Sequence, residues 1–416
     1  MHDVVVVGAS LAGSAAAALY GRRGLDVALL ERSADPQAYK TVCTTFIQAS
    51  ATPVIERLGL VPGLEAAGAI RNGVAIWTRY GWIVPERDPR SSRVPHGYNV
   101  RRETLDPMLR RLAAATPGVR LEAGTTVTGV LRDGDRVAGV VVRDRDGGTR
   151  EVRARLVVGA DGRASRVAEA AGVARRERPN GRIAYAAHYR NVPRRLGDLS
   201  QMWLLDPDAA YVFPHDDDVT ILAAMPSADR LDEFRADPER ALLATFDGLP
   251  DAPSLEGIER VSNVIGRVDM ASYSRRPAQP GLALVGDAAM ASDPLWGVGC
   301  GFAFQSAEWL VDATAGALSE GRDLDRALAR YARTHRLRLT GHHLLMADYS
   351  SGRRFSPIEK LFYSAAVRDG RVARHMEAYG TRQIGPARLL APPMVARAVA
   401  VNVRRSPRRA AEPVAV

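Results

Sequence analysis

Asp3-Val4-Val5-Val6-Val7-Gly8-Ala9-Ser10-Leu11-Ala12-Gly13, continued by the alanine-rich run 14–24 and by Asp26-Val27-Ala28-Leu29-Leu30-Glu31, decides the fold. The four valines have the length and β-branching of a strand buried on both faces, as in a parallel sheet. The alanines and leucine after Gly13 favour helix, and a second short apolar strand ends at Glu31.

Strand, glycine turn, helix, strand and acidic residue, in that order, form a dinucleotide-binding fingerprint. Gly8 permits the tight turn and Gly13 lets helix and strand pack closely. The helix start, around Ser10, Leu11 and Ala12, offers free N–H groups and a positive dipole end to a pyrophosphate. Glu31 lies 23 residues after Gly8, close to the spacing of a carboxylate that accepts both ribose hydroxyls and repels a 2′-phosphate. Ser10 takes the place of the middle glycine of G-x-G-x-x-G as a small residue near the phosphates.

At 416 residues the chain is long enough for two or three domains with sizeable cores. Hydrophobic content of 46% and charged content of 25% are those of a soluble globular protein. The net charge of +10 is carried by arginines spread along the chain, with lysine only at Lys40 and Lys360, so it does not read as a nucleic-acid patch. The one local basic cluster, Arg404 to Arg409, reads as a solvated tail. Cys43 and Cys300 give no disulfide framework, and a reducing cytoplasm is the expectation. The chain begins at once with a buried strand and leaves no room for a signal peptide. No apolar run approaches the length of a membrane span, and Pro386 to Val403 is expected to pack onto the body rather than lie on a membrane.

Farther on, Val119 to Ala160 reads as a β-meander with turns at Arg132-Asp133-Gly134-Asp135 and Arg145-Asp146-Gly147-Gly148. Its last buried strand delivers Asp161-Gly162 at a carboxyl end, where open α/β sheets bind ligands. Residues 182–270 alternate strands with polar turns and read as an antiparallel substrate sheet carrying Met202, Trp203, Tyr211, Phe213 and Met225. A core role accounts for at least half of these side chains. Strand Leu282 to Val285 then delivers Gly286-Asp287. Pro294, Gly297 and Gly299 open a long helix whose N-terminus can face an anionic ring edge, while Asp287 suits a polyol chain.

The set formed by the N-terminal fingerprint, R-x-x-L-D at Arg102 to Asp106, GADGRASRV with Asp161-Gly162, and GDAAMASDP followed by G-V-G resembles the para-hydroxybenzoate-hydroxylase-like flavoprotein superfamily over residues 3–320. The resemblance implies FAD, in an α/β fold with a Rossmann-like domain of the glutathione-reductase type. It places the FAD-binding domain at 1–70, 98–180 and 272–340, an interleaved substrate sheet at 71–97 and 181–271, and a helical region with a basic tail at 341–416. It implies pyrophosphate at Gly8 to Gly13, ribose on Glu31 beside Arg32, and Arg102 on the flavin side. Asp287 then binds the ribityl chain next to Gly286, and the helix from Gly299, with Cys300 and Gly301, faces the flavin. Val127 and the Asp161-Gly162 pair complete the cofactor set.

Within that superfamily the leading expectation is a monooxygenase, hydroxylating or epoxidising a largely apolar, secondary-metabolite type of substrate through O2 and a flavin C4a-hydroperoxide. The alternative is a geranylgeranyl-reductase-like enzyme that saturates a carbon–carbon double bond, suggested by Lys40-Thr41-Val42-Cys43 and Tyr211 to Pro214. A halogenase is disfavoured, because Ala210 to Pro214 stands where halogenases carry Trp-x-Trp-x-Ile-Pro. A non-catalytic flavin-binding protein is disfavoured by the complete motif set. Electrons come from NAD(P)H or from a partner reductase, since there is no second nucleotide fingerprint. Trp296 is the expected residue at the reaction site, and Cys43 is either a proton donor or an inert buried thiol. His335, His342, His343 and His375 offer no convincing ligand set, so no metal is expected.

Overall fold

The computed structural model describes residues 1–84 and 96–404. Residues 85–95 of the substrate region and the basic tail beyond Arg404 lie outside the described residues.

The opening stretch folds as strand β1 (His2–Val7), helix α1 (Leu11–Gly21) and strand β2 (Val27–Glu31). Helix α2 (Arg102–Ala114), strand β3 (Val119–Ala123), strand β4 (Thr149–Gly159), strand β5 (Leu282–Leu284) and the long helices α3 (Val298–Ser319) and α4 (Leu324–Tyr349) complete this half. The five strands form a parallel sheet in the order β5-β4-β1-β2-β3. The valine run serves two layers because strand side chains alternate. Val4 and Val6 join a core with α1, α2 and α3, whereas Val5 and Val7 join one with Val137, Val140 and Val142 of the meander. Helix α1 packs against both α2 and α3, and only small side chains fit there, so Ala15 to Ala18 are fully buried. The N-terminal half of β4 pairs with the meander strand Arg136–Arg143 and its C-terminal half with β1, so one strand belongs to two layers.

The second sheet runs in the order Glu259–Arg260, Ala184–Arg190, Thr220–Met225, Ala209–Pro214, Ser200–Leu204, Val74–Thr78, Gly81–Ile83. It departs from the expected antiparallel sheet at one pairing. Ser200–Leu204 lies parallel to Val74–Thr78 because the two strands come from separate excursions of the chain. One face carries Met202, Tyr211, Phe213 and Met225 and packs on Phe355, Phe362 and Tyr363 of the C-terminal helical region. The other carries Trp203 and packs on Phe234, Leu242 and Phe246. Helix α4 is continuous across residue 340, and among the described residues no helix is long and apolar enough to cross a membrane.

Candidate active site

A continuous cavity of about 1400 Å³ opens between the carboxyl ends of the parallel strands and one face of the second sheet. It exceeds the usual 300–1000 Å³ of a drug-sized pocket, leaving space for a dinucleotide and a substrate together. Gly8, Ser10, Leu11, Ala12 and Glu31 line its polar end, beside the exposed Arg32.

The backbone there is built for close approach. Gly8 has φ +100°, and a Cβ at that position would lie 2.7 Å from the carbonyl oxygen of Ala160. Gly13 does not line the cavity; a Cβ on it would strike the carbonyl oxygen of Gly8, so it sets how closely the helix start sits on the turn. Helix α1 has no side-chain cap and no acidic residue in its first turn, which leaves N–H groups facing the cavity as an anion site. Glu31 is held in place by the amides of Ala9 (2.7 Å) and Ser33 (2.9 Å), and its oxygens keep further lone pairs for a diol.

Arg102 is buried, bound through Nε and Nη2 to Asp106, and its Nη2 also donates to Ser10 Oγ at 2.7 Å. The serine in the fingerprint is therefore an acceptor that ties α2 to the glycine turn. The first and last residues of R-x-x-L-D are the i,i+4 ion pair Arg102–Asp106, whereas the bond to Ser10 has no signal in the sequence. Arg110, which the sequence reading passed over, binds the carbonyls of Ala9, Pro36 and Ala38 and fixes the loop after β2.

Asp287 stands at the cavity in a tight turn after β5, where Gly286 has φ +56° and its amide donates to Ser306 Oγ. Its Oδ2 accepts from Lys40 Nζ at 2.9 Å. Burial alone pushes the Asp287 carboxyl up, but Lys40, with Arg163 and Arg102, holds it below its ordinary value. Asp161 and Gly162 also line the cavity. Asp161 accepts from Ser165 Oγ and the Val167 amide, so its carboxylate orders the turn that follows, and burial raises its pKa. Val127 forms part of the neighbouring wall.

Helix α3 points its start at the middle of the cavity. Pro294, Gly297, Gly299 and Cys300 line it, and the helix has neither a capping side chain nor an acid in its first turn. Gly297 is left-handed, and a Cβ on it would strike the ring of Phe46. Gly301 faces away, toward Arg382. Cys300 Sγ lies 3.9 Å from Cys43 Sγ, which arrives on the Lys40 loop. The hydrogen bond from Cys300 outweighs burial, and with Arg102 and Lys40 it draws the Cys43 thiol below the ordinary thiol range, while Cys300 is pushed above it.

The far end of the cavity is apolar. Its sheet wall is made by Ala184, Ala186, Ile221, Ala223 and Met225, with Phe46, Met270 and Met290 around it. Of the side chains read as substrate contacts, Met225 is at the cavity. Met202, Tyr211 and Phe213 are buried beneath the C-terminal helices, and Trp203 lies on the opposite face, donating to the Pro250 carbonyl. Trp296 packs against those helices near Gly380, while its carbonyl accepts from Gln48; it does not line the cavity. Among the described residues no three His, Cys, Asp or Glu are grouped to hold a metal ion.

Comparison with known proteins agrees with this geometry. The FAD binding domain family matches residues 1–341. Digeranylgeranylglycerophospholipid reductase 1 of Methanopyrus kandleri is 31% identical over 345 residues, covering 79% of this chain and 84% of its own. The reductase of that name from Methanocaldococcus jannaschii is 28% identical over 72% and 73%. In fold, the flavin-dependent brominase Bmp2 superposes with a TM-score of 0.80 at 21% identity, covering 97% of this chain and all of its own. PqsL of Pseudomonas aeruginosa, described as a probable FAD-dependent monooxygenase, does so with a TM-score of 0.65 at 19% identity, covering 92% of this chain and all of its own. The glycine cradle, the two uncapped helix starts and the carboxylates at the strand ends fit FAD, and the chain belongs to the FAD binding domain family as an FAD-dependent oxidoreductase.

Proposed function

We propose that this protein reduces a carbon–carbon double bond in a long, apolar, isoprenoid-type substrate. The observation that carries the reading is the thiol pair Cys43 and Cys300 on the cavity wall, between the nucleotide end and the apolar sheet. From the sequence alone a monooxygenase ranks first; the thiol pair and the reductase relatives reverse that order.

FAD, once bound and reduced, would supply the hydride. Saturating an isolated double bond also needs a proton on the neighbouring carbon. The thiol pair holds that proton: Cys300, pushed above the ordinary thiol range, keeps it and shares it with Cys43, whose proton affinity is drawn down by that bond, Arg102 and Lys40, so the two sulfurs act together as the acid. Lys40, Asp106, Arg102 and Ser10 link the cysteine loop to the glycine turn, so cofactor seating and acid placement are coupled. The alanines of the sheet wall leave width for a chain-like substrate, and the apolar wall disfavours charged ones. Two oxidisable thiols beside the reacting centre are a liability for an oxygenase, whereas a reductase makes use of them. Electrons are delivered by NAD(P)H or by a partner reductase.

The test uses FAD-loaded protein reduced anaerobically with dithionite and mixed with a geranylgeranyl lipid. We expect products heavier by two hydrogens per double bond. The Cys43→Ser variant should bind FAD as before and turn over about 10²- to 10⁴-fold more slowly, the usual weight of a general acid. A product carrying one added oxygen under aerobic turnover would return the reading to a monooxygenase.

A further inference from the structure

Gly299 and Cys300 face the cavity, and the next residue of α3, Gly301, faces a closely packed cluster of buried polar side chains. A Cβ built on Gly301 would lie 2.9 Å from Arg382 Nη1, 3.5 Å from Gln48 Oε1 and 3.7 Å from Ser50 Oγ. All three atoms are shut off from solvent and have no partner, as is Arg382 Nε. Gln48 cannot be turned round to relieve this, because its Nε2 already donates to the carbonyls of Trp296 and Gly380.

Arg382 is unusual in three respects. Its guanidinium is held by the Gln305 side-chain oxygen and by the face of Phe302, 4.4 Å from the ring centroid. Among the described residues no carboxylate pairs with it, and burial draws its pKa down to about 9, leaving it charged at neutral pH. Its backbone is left-handed, with φ +61°, a conformation that costs a non-glycine residue free energy. His342, stacked on Tyr379, brings no counter-charge: burial, and then Arg382, lower its pKa to about 4. A buried charge without a partner is expensive, and helix α3 already ends in a positive dipole at the same place.

We infer that Arg382 is a positioning residue for the cofactor: a cation set behind the first turn of α3 that strengthens the pull of that helix end on the negative charge which reduced flavin acquires. The missing counter-ion arrives with the reduced cofactor. In the low-dielectric space around Phe302 the attraction acts at a distance without a direct contact. A structural role for Arg382 accounts for its packing but not for an uncompensated charge at this helix end.

The FAD-loaded protein is reduced anaerobically and the absorbance of the reduced flavin is followed against pH. In the wild type the reduced flavin should stay anionic to lower pH than free reduced flavin. Arg382→Met should move the transition upward by about one pH unit, a tenfold change in proton affinity, and Arg382→Lys should restore it. The apoprotein of Arg382→Met should melt no lower than the wild type, because an unpaired buried charge has been removed; a merely structural arginine predicts the opposite. If Arg382→Met does not accumulate, Arg382→Gln is read in the same titration. A wild-type reduced flavin that titrates like free flavin, or an unchanged transition in a folded variant, overturns the inference.

Discussion

Cys43 and Cys300 show what a short distance does to two ordinary side chains. Folding lowers the proton affinity of Cys43, so below the ordinary thiol pKa of about 8.5 the unfolded chain binds more protons than the native one. The stability contributed by Cys43 therefore grows as pH rises through that window and is lost as pH falls through its folded value. Cys300 is shifted the other way, and its contribution declines only above the ordinary thiol range. We expect the urea midpoint of the apoprotein, compared with that of Cys43→Ser, to rise between about pH 6 and about pH 8. A parallel pH dependence of the two proteins would show that no thiolate forms. Neither the pairing nor the shift was legible in the sequence, where the two cysteines stand 257 residues apart. The terminal acid of the fingerprint, Glu31, was legible, because a short strand and a spacing rule place it.

At the scale of elements, the glycine turn between β1 and α1 is the most constrained piece of backbone at the site. Gly8→Ala adds a Cβ 2.7 Å from the carbonyl oxygen of Ala160 at a φ of +100°. We expect that variant to lose bound FAD on gel filtration and to be destabilised by about 1–3 kcal/mol, the cost of a strained backbone position, as measured by thermal denaturation. The elements themselves read well from the sequence, since β-branched runs, alanine helices and glycine turns are local signals. Which face of a strand meets the cavity is not a local signal. Met202 and Trp203 are neighbours in one strand, and alternation sends one toward the C-terminal helices and the other to the opposite core. The large aromatics drew attention, yet Ala184, Ala186 and Ala223 make the space by being small. Trp296 sits between two motifs in the sequence, but its ring turns to the C-terminal helices, which no periodicity reports.

Across the whole molecule, the second sheet and the C-terminal helices share one core through Tyr211, Phe213, Phe362 and Tyr363. The helical region thus completes the substrate half instead of decorating it. Phe362→Ala should cost about 3–5 kcal/mol and expose an apolar sheet face, seen as a lower thermal midpoint and as aggregation. FAD retention by the surviving soluble fraction should be unaffected, because the cofactor end of the cavity touches none of these side chains. An equal loss of flavin would place the two halves in a single cooperative unit.

The parallel pairing of Val74–Thr78 with Ser200–Leu204 also bears on biosynthesis. During translation the earlier strand is made about 120 residues ahead of its partner, a wait of roughly 6–24 s at 5–20 residues per second. Through that interval Ile76 and Trp77 lie on an unpaired edge, open to association with other nascent chains. Slower elongation downstream of Thr78 lengthens the exposure, so the yield of soluble protein depends on ribosome speed and on chaperones that shield a single strand.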